Sequence, residues 1–199
     1  TPTDTPTSTN TPTDTPTNTH TATASATPSQ TQTLTSTPTA TATQATAVLT
    51  FTPVADAYVY QSSPTTNYGT SNLLRADGSP IMRSYLRFNL QGINGTVTRV
   101  TLRIYANSAS SAGYNIGNVT DNTWAENTVN YDNAPAIGSS VGSSGSFGAG
   151  VWTTVDVTSL VTGNGTLNLG LYTTSSTAIS FNSRQASINQ PQLVVEVGP

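Results

Sequence analysis

The chain has 199 residues, enough for one ordinary domain and a tail. Only 8% of them are charged, against about 25% in typical soluble domains; Lys is absent, all six cations are Arg, and the net charge is −3. This acidic balance argues against nucleic acid, the lack of Cys excludes disulfides and thiolate metal sites, and no apolar run is long enough to span a bilayer.

Residues 1–46 form a low-complexity region that opens on a decapeptide written twice, TPTDTPTSTN and TPTDTPTNTH. From 1 to 43 every odd position is Thr or Ser, and the Pro residues at 2, 6, 12, 16, 28 and 38 are all at even positions. Leu34 is its only large apolar residue, so the segment has no core to offset its ordering entropy and reads as an extended tail. Three readings stay open. One is a bare linker. Another is an O-glycosylated stalk, with Thr1, Thr3, Thr5, Thr7, Thr9, Thr11, Thr13, Thr15, Thr17 and Thr19 as acceptors. The last is a strand-like ribbon, because alternation puts the hydroxyls on one face and the Pro residues on one edge. The chain starts at Thr and has its only Met at 82, as expected of a piece of a larger processed product.

From 47 to 199 the texture changes to short period-two runs separated by Gly, Asn and Ser. RSYLRFNL sets Leu86, Phe88 and Leu90 against Arg83, Tyr85, Arg87 and Asn89, and VTRVTLRIYAN sets Val100, Leu102 and Ile104 against Arg99, Thr101, Arg103 and Tyr105. VWTTVDV sets Val151, Val155 and Val157 against Trp152, Thr154 and Asp156. TSLV at 158–161 offers one helical turn. TLNLGLY aligns Leu167, Leu169 and Leu171, AISFNSR aligns Ile179 and Phe181, and QLVVEV aligns Leu193, Val195 and Val197. Many short alternating runs with turn residues between them predict an all-β, antiparallel β-sandwich of jelly-roll type, with eight to ten strands.

Three blocks in this region match a known pattern. DAYVYQSSPTTNYGTSNLLRADGSPIMRSYLRFNL (56–90), TWAENTVNYDNAP (123–135) and SRQASINQPQLVVEV (183–197) resemble, in order, the DNRLRE-type domain related to disaggregatase repeats. That group overlaps an alginate-binding family of carbohydrate-binding modules. The resemblance implies a secreted β-sandwich attached to polysaccharide-degrading enzymes or surface proteins, with sugar binding in some members. Fold transfers on such a resemblance more readily than function.

No catalytic arrangement emerges. Asp121, Glu126 and Asp132 lie in a turn-rich segment where Asp and Asn bond their own backbone. The only His is His20 in the tail, and neither Lys nor Cys exists, which removes a Ser–His–Asp triad and a His/Cys metal centre. The domain is therefore expected not to be an enzyme and to need no cofactor. A structural calcium held by Asp, Asn and backbone carbonyls is compatible with the composition, but no Asp-x-Asp-x-Asp-Gly loop assigns one.

Parity places Arg83, Tyr85 and Arg87, Arg103 and Tyr105, and Arg184 on faces away from the inferred core, with Trp152 opposite Val151. Guanidinium forks take carboxylates bidentately, and aromatic faces stack on rings, so these seven residues are the candidate ligand site for a polysaccharide, an anionic one such as alginate included. The competing reading makes the Arg residues structural, through pairing with acids or stacking on aromatics. Trp124 reads as a lid over one end of the core, and Asn67, Tyr68 and Gly69 as a turn. Asn94, Asn118 and Asn164 begin N-x-Thr sequons, which in a prokaryotic product are expected to be chance matches in an Asn/Thr-rich chain.

Two functions follow as expectations. One is a non-catalytic carbohydrate-binding or adhesive module, exported by a prokaryote and shown outside the cell on its Thr/Pro stalk. The alternative is the subunit of an extracellular filament or sheath, in which the tail joins further copies of the chain by strand addition.

Overall fold

The computed structural model describes residues 46–199; the expectations for the tail, including its ten Thr acceptors and His20, lie outside the described residues. Eleven strands follow one another: β1 Ala47–Phe51, β2 Ala55–Tyr60, β3 Leu73–Gly78, β4 Ile81–Leu90, β5 Thr96–Ala106, β6 Asn115–Asn118, β7 Ser140–Ser143, β8 Val151–Asp156, β9 Gly165–Tyr172, β10 Ile179–Asn182 and β11 Gln192–Gly198. A single 3-10 turn at Thr158–Leu160 occupies the place of the expected helical turn.

All strand pairs are antiparallel, as the alternation predicts. One layer is built on β5, with β8 on one edge and β11, then β1, on the other. The second layer runs β2–β4–β9–β6–β7. β10 and β3 link the two into one hydrogen-bonded path. Between the layers lies the main core, formed by the inward residues that parity selected: Leu86, Phe88 and Leu90 of β4, Leu102 and Ile104 of β5, Leu169 and Leu171 of β9, Phe181 of β10, and Leu193 and Val195 of β11. Each such side chain contributes roughly 1.5–3 kcal/mol through burial.

The β8 alternation needs one correction. Val151 is 41% exposed at the margin of the sheet, and the inward place next along β8 goes to Thr153. Its hydroxyl donates to Ile104 O (2.8 Å) and shares a 2.7 Å bond with the Tyr114 hydroxyl, so the polar group is satisfied inside the core. Tyr114 packs edge-on against Phe181, their centroids 5.0 Å apart, and burial pushes its phenol pKa upward.

A second, smaller core lies outside the β2–β4–β9–β6 layer. Ala55, Ala57 and Val59 of β2 and Tyr85 of β4 point outward there, and the segment 119–139 lies over them with Val119, Trp124 and Val129 buried. Gly117 and Gly170, paired on β6 and β9, leave the space that Ile137 fills; a Cβ on Gly117 would come within 2.7 Å of Ile137 Cγ2, and one on Gly170 would also collide with it. One layer is therefore covered on both faces, while the outer face of β1–β11–β5–β8 has no such cover among the described residues. That asymmetry decides which predicted residues can meet a ligand.

Candidate functional site

The seven candidate residues separate into four places. Tyr85 shows that parity was right and the inference from it wrong. It does point away from the main core, but the covering segment buries it to 1% exposure and its hydroxyl donates to Pro135 O at 2.8 Å. Burial pushes its phenol pKa up to about 12 despite the nearby Arg83 cation. A buried phenol with its donor spent on a backbone carbonyl cannot contact a sugar.

Arg87 fastens the cover. Its Nε donates to Asn168 Oδ1 (2.7 Å), its Nη2 donates to Trp124 O (2.8 Å) and Asn122 O (3.1 Å), and its guanidinium sits 4.4 Å from the centroid of the Trp124 ring. Trp124 is a lid as expected, 6% exposed, though over the second core.

Arg184 belongs to a polar junction between β2, the cover and the segment before β11. Its backbone N–H donates to Asp56 Oδ2 (2.7 Å), and its Nε lies 3.4 Å from Glu126 Oε1. The same Glu126 oxygen accepts from Asp56 N (3.0 Å) and from Gln185 Nε2 (2.8 Å). Asp56 is 1% exposed; desolvation outweighs the Arg184 N–H bond and raises its carboxyl pKa to about 7. The NYG turn docks here too: Asn67 Nδ2 donates to Glu126 O (2.8 Å) and Val129 O (2.7 Å), and the Tyr68 ring stacks 4.2 Å from that of Tyr58. Glu126 is thus a structural tie. Asp121 spends one oxygen on the N–H and hydroxyl of Thr123, which hold its pKa below the usual carboxylate range. Among the described residues no three His, Cys, Asp or Glu side chains gather in a metal-holding group.

Arg103, Tyr105 and Trp152 do come together, on the uncovered face. The β5–β8 register sets Tyr105 opposite Trp152, with ring centroids 5.7 Å apart and edge to face. Arg103 lies 4.9 Å from the Trp152 centroid and donates through Nη1 to Gln192 Oε1 on β11 (3.1 Å). Beside them is an open groove of ≈ 280 Å³, lined by Trp152, Thr52, Gln192 and the loop Ser187–Gln190. Asn189 holds that loop with a positive φ of 53°, a conformation Asn tolerates better than most residues. Ile188 is 69% exposed at the rim. The sequence reading missed this rim, because a loop carries no periodicity; the parity of Gln192 with Val194 and Glu196 was the one available signal.

The arrangement consists of an indole, a phenol and a guanidinium on an open sheet face, with amide groups along one side. Residues 47–197, from the first strand into the last, match the model of carbohydrate-binding module family 96. The chain belongs to that family. No curated protein matches the chain. In this family 96 module the open-face cluster sets aromatic surface beside polar groups. Arg83, the remaining candidate, stands apart from this cluster on the outer face of β4, paired in register with Val59.

Proposed function

We propose that the domain is a non-catalytic module that binds polysaccharide across the open face of β5–β8–β11, outside the cell. Trp152 and Tyr105 form the stacking surface, Arg103 directs its guanidinium at a carboxylate or hydroxyl, Gln192 offers its amide N–H groups, and Gln190, whose Nε2 is spent on Arg184 O and Ala186 O, offers its side-chain carbonyl. The observation that carries this reading is the convergence of Arg103, Tyr105 and Trp152 beside a groove on a sheet face left uncovered among the described residues. A guanidinium without a carboxylate partner favours an acidic glycan such as alginate over a neutral one. The Thr-rich tail, carrying O-glycans, acts as its stalk. Calorimetry of the full chain with alginate, pectin and neutral glycans tests the assignment. Trp152→Ala is expected to weaken alginate binding at least tenfold with the fold intact; unchanged binding would overturn it.

A second reading, a filament subunit joined by its tail, draws support from β1. That strand pairs with β11 along one edge, and no described strand pairs with the other. An unpaired edge accepts an added strand. Light scattering of full-length and tail-deleted protein decides this point, since two monomers would exclude the filament.

A further inference from the structure

Arg83 and Tyr172 stand side by side on the face opposite the Trp152 groove. The β4–β9 register pairs Ser84 with Leu171, which sets Arg83 beside Tyr172 one step further along. The covering segment conceals Tyr85 and packs over Arg87, but at Arg83 only Ile137 and Gly138 reach the surface hollow. Two hollows therefore open on either side of the Arg83–Tyr172 pair. One, of ≈ 190 Å³, lies against Ile137 and Gly138. The other, of ≈ 360 Å³, lies against Asp77, Gly78 and Thr174, and by itself reaches the size range of small-ligand sites.

Arg83 lies against the buried Tyr85 hydroxyl, whose pKa its cation works to lower, but it carries fewer ties to the fold than Arg87 and Arg184 do. Arg87 and Arg184 are tied to the cover and to Glu126, Arg75 sits over the Tyr58 ring, Arg103 is on Trp152 and Gln192, and Arg99 lies opposite Glu196 on β11. Arg83 joins no ion pair among the described residues, and Tyr172 stacks on no described ring. Gly78 lets the Thr174–Ser175 backbone pack directly against this wall of the hollow: its N–H donates to Ser175 O (2.7 Å), and a Cβ there would lie 2.6 Å from Thr174 O. The cleft is graded in charge. Arg83 provides a guanidinium at its centre, and Asp77, one oxygen of which accepts from Ser79 N (3.1 Å), lies in the larger hollow. A ligand with a carboxylate fits with that group on Arg83 and directed away from Asp77, with hydroxyls toward Asp77 and a ring face on Tyr172.

We propose that Arg83 and Tyr172 form a second saccharide site, for a carboxylated sugar unit, and that the module is bivalent. The two sites lie on the outer faces of opposite layers, so one straight polysaccharide chain cannot occupy both, and one copy of the domain joins two chains. The inference rests on the reading that the module binds an acidic polysaccharide through the Trp152 face, and its test separates the two. Short alginate oligosaccharides titrated into the full chain by calorimetry give the number of sites, and the viscosity of long-chain alginate with added protein reports cross-linking. Two sites are expected in the unmodified protein, with a rise in viscosity. Arg83→Gln and Tyr172→Ala should each leave one site, with the rise lost and the protein still folded by thermal melting, and Trp152→Ala should leave the other. A single site, abolished by Trp152→Ala and untouched by Arg83→Gln and Tyr172→Ala, would overturn bivalency and leave the proposed function standing. A single site abolished by Arg83→Gln and untouched by Trp152→Ala would overturn both, as would no binding at all.

Discussion

Arg87 and Trp124 meet on one atom: the guanidinium Nε and the indole Nε1 both donate to Asn168 Oδ1, at 2.7 and 3.1 Å, while the two planes approach as a cation–π pair. One acceptor on β9 thus fixes both the cover and the strand beneath it. Replacing Arg87 by Ala strands the carbonyls of Asn122 and Trp124 and unfastens the lid. Hydrogen bonds to charged groups contribute about 1.5–3 kcal/mol each and are not additive, so a loss of about 3 kcal/mol is expected in urea unfolding. Arg87→Lys should recover little, because an ammonium lacks the planar fork.

Gly170 and Ile137 offer a packing test. Gly170→Ala puts a methyl group into space held by Ile137 side-chain atoms; overpacking of this kind costs about 1–3 kcal/mol. Ile137→Ala alone creates a cavity and should also destabilise, by about 2–4 kcal/mol. The double variant should be more stable than the sum of the two losses predicts, a non-additivity of at least 0.5 kcal/mol marking direct contact. Simple additivity would refute the account of why β9 carries glycine there.

Asp56 predicts a pH dependence. Its carboxyl pKa is raised from 3.8 to about 7 by burial, so the folded state holds the proton more tightly than the unfolded chain. Protonation therefore favours folding: the contribution is complete below about pH 4, declines as pH rises toward 7 and is lost above it. The full effect is bounded at about 4 kcal/mol, since one pKa unit corresponds to about 1.4 kcal/mol. Asp56→Asn retains an oxygen for the Arg184 N–H and should flatten stability between pH 4 and 7. Chemical denaturation across that window measures it, and an unchanged slope would refute it.

Arg103 predicts a salt dependence. If its guanidinium takes a carboxylate at an exposed sheet face, affinity for alginate should fall as ionic strength rises, over a Debye length of about 10 Å at 0.1 M. Arg103→Ala should lower affinity several-fold and weaken that salt dependence, with little change in melting temperature, because its protein contacts are one amide and one indole face.

Period two identified the inward residues of β4, β5, β9, β10 and β11 directly, since a side chain facing a dry interlayer must be apolar and its neighbours face the other way. The same rule was silent about what lies on the other side. Tyr85 and Arg87 share their outward parity with Tyr105 and Arg103, yet the first pair lies under a folded segment and the second on an uncovered face. The cover is held by Asn, Arg and backbone carbonyls and has no repeat to read. Likewise Tyr105 and Trp152 each announce an outward aromatic, but their pairing depends on β8 docking beside β5, a long-range register that the turns between them do not encode. The rim Ser187–Gln190 is legible only once β11 is placed.

The first and last strands are neighbours: Ala47 faces Val197, and β1 runs back along β11 to Phe51 opposite Leu193. Tension applied between Ala47 and Gly198 enters at the same end of this pair and pulls the two strands apart transversely. Their rungs then bear load one after another, as in a zipper, and do not share it as they would if the strands slid past each other. The β1–β11 seam is the mechanical fuse of the domain. A stretched chain would shed β1 first, while the Trp152 face and the cover on β4 remained folded.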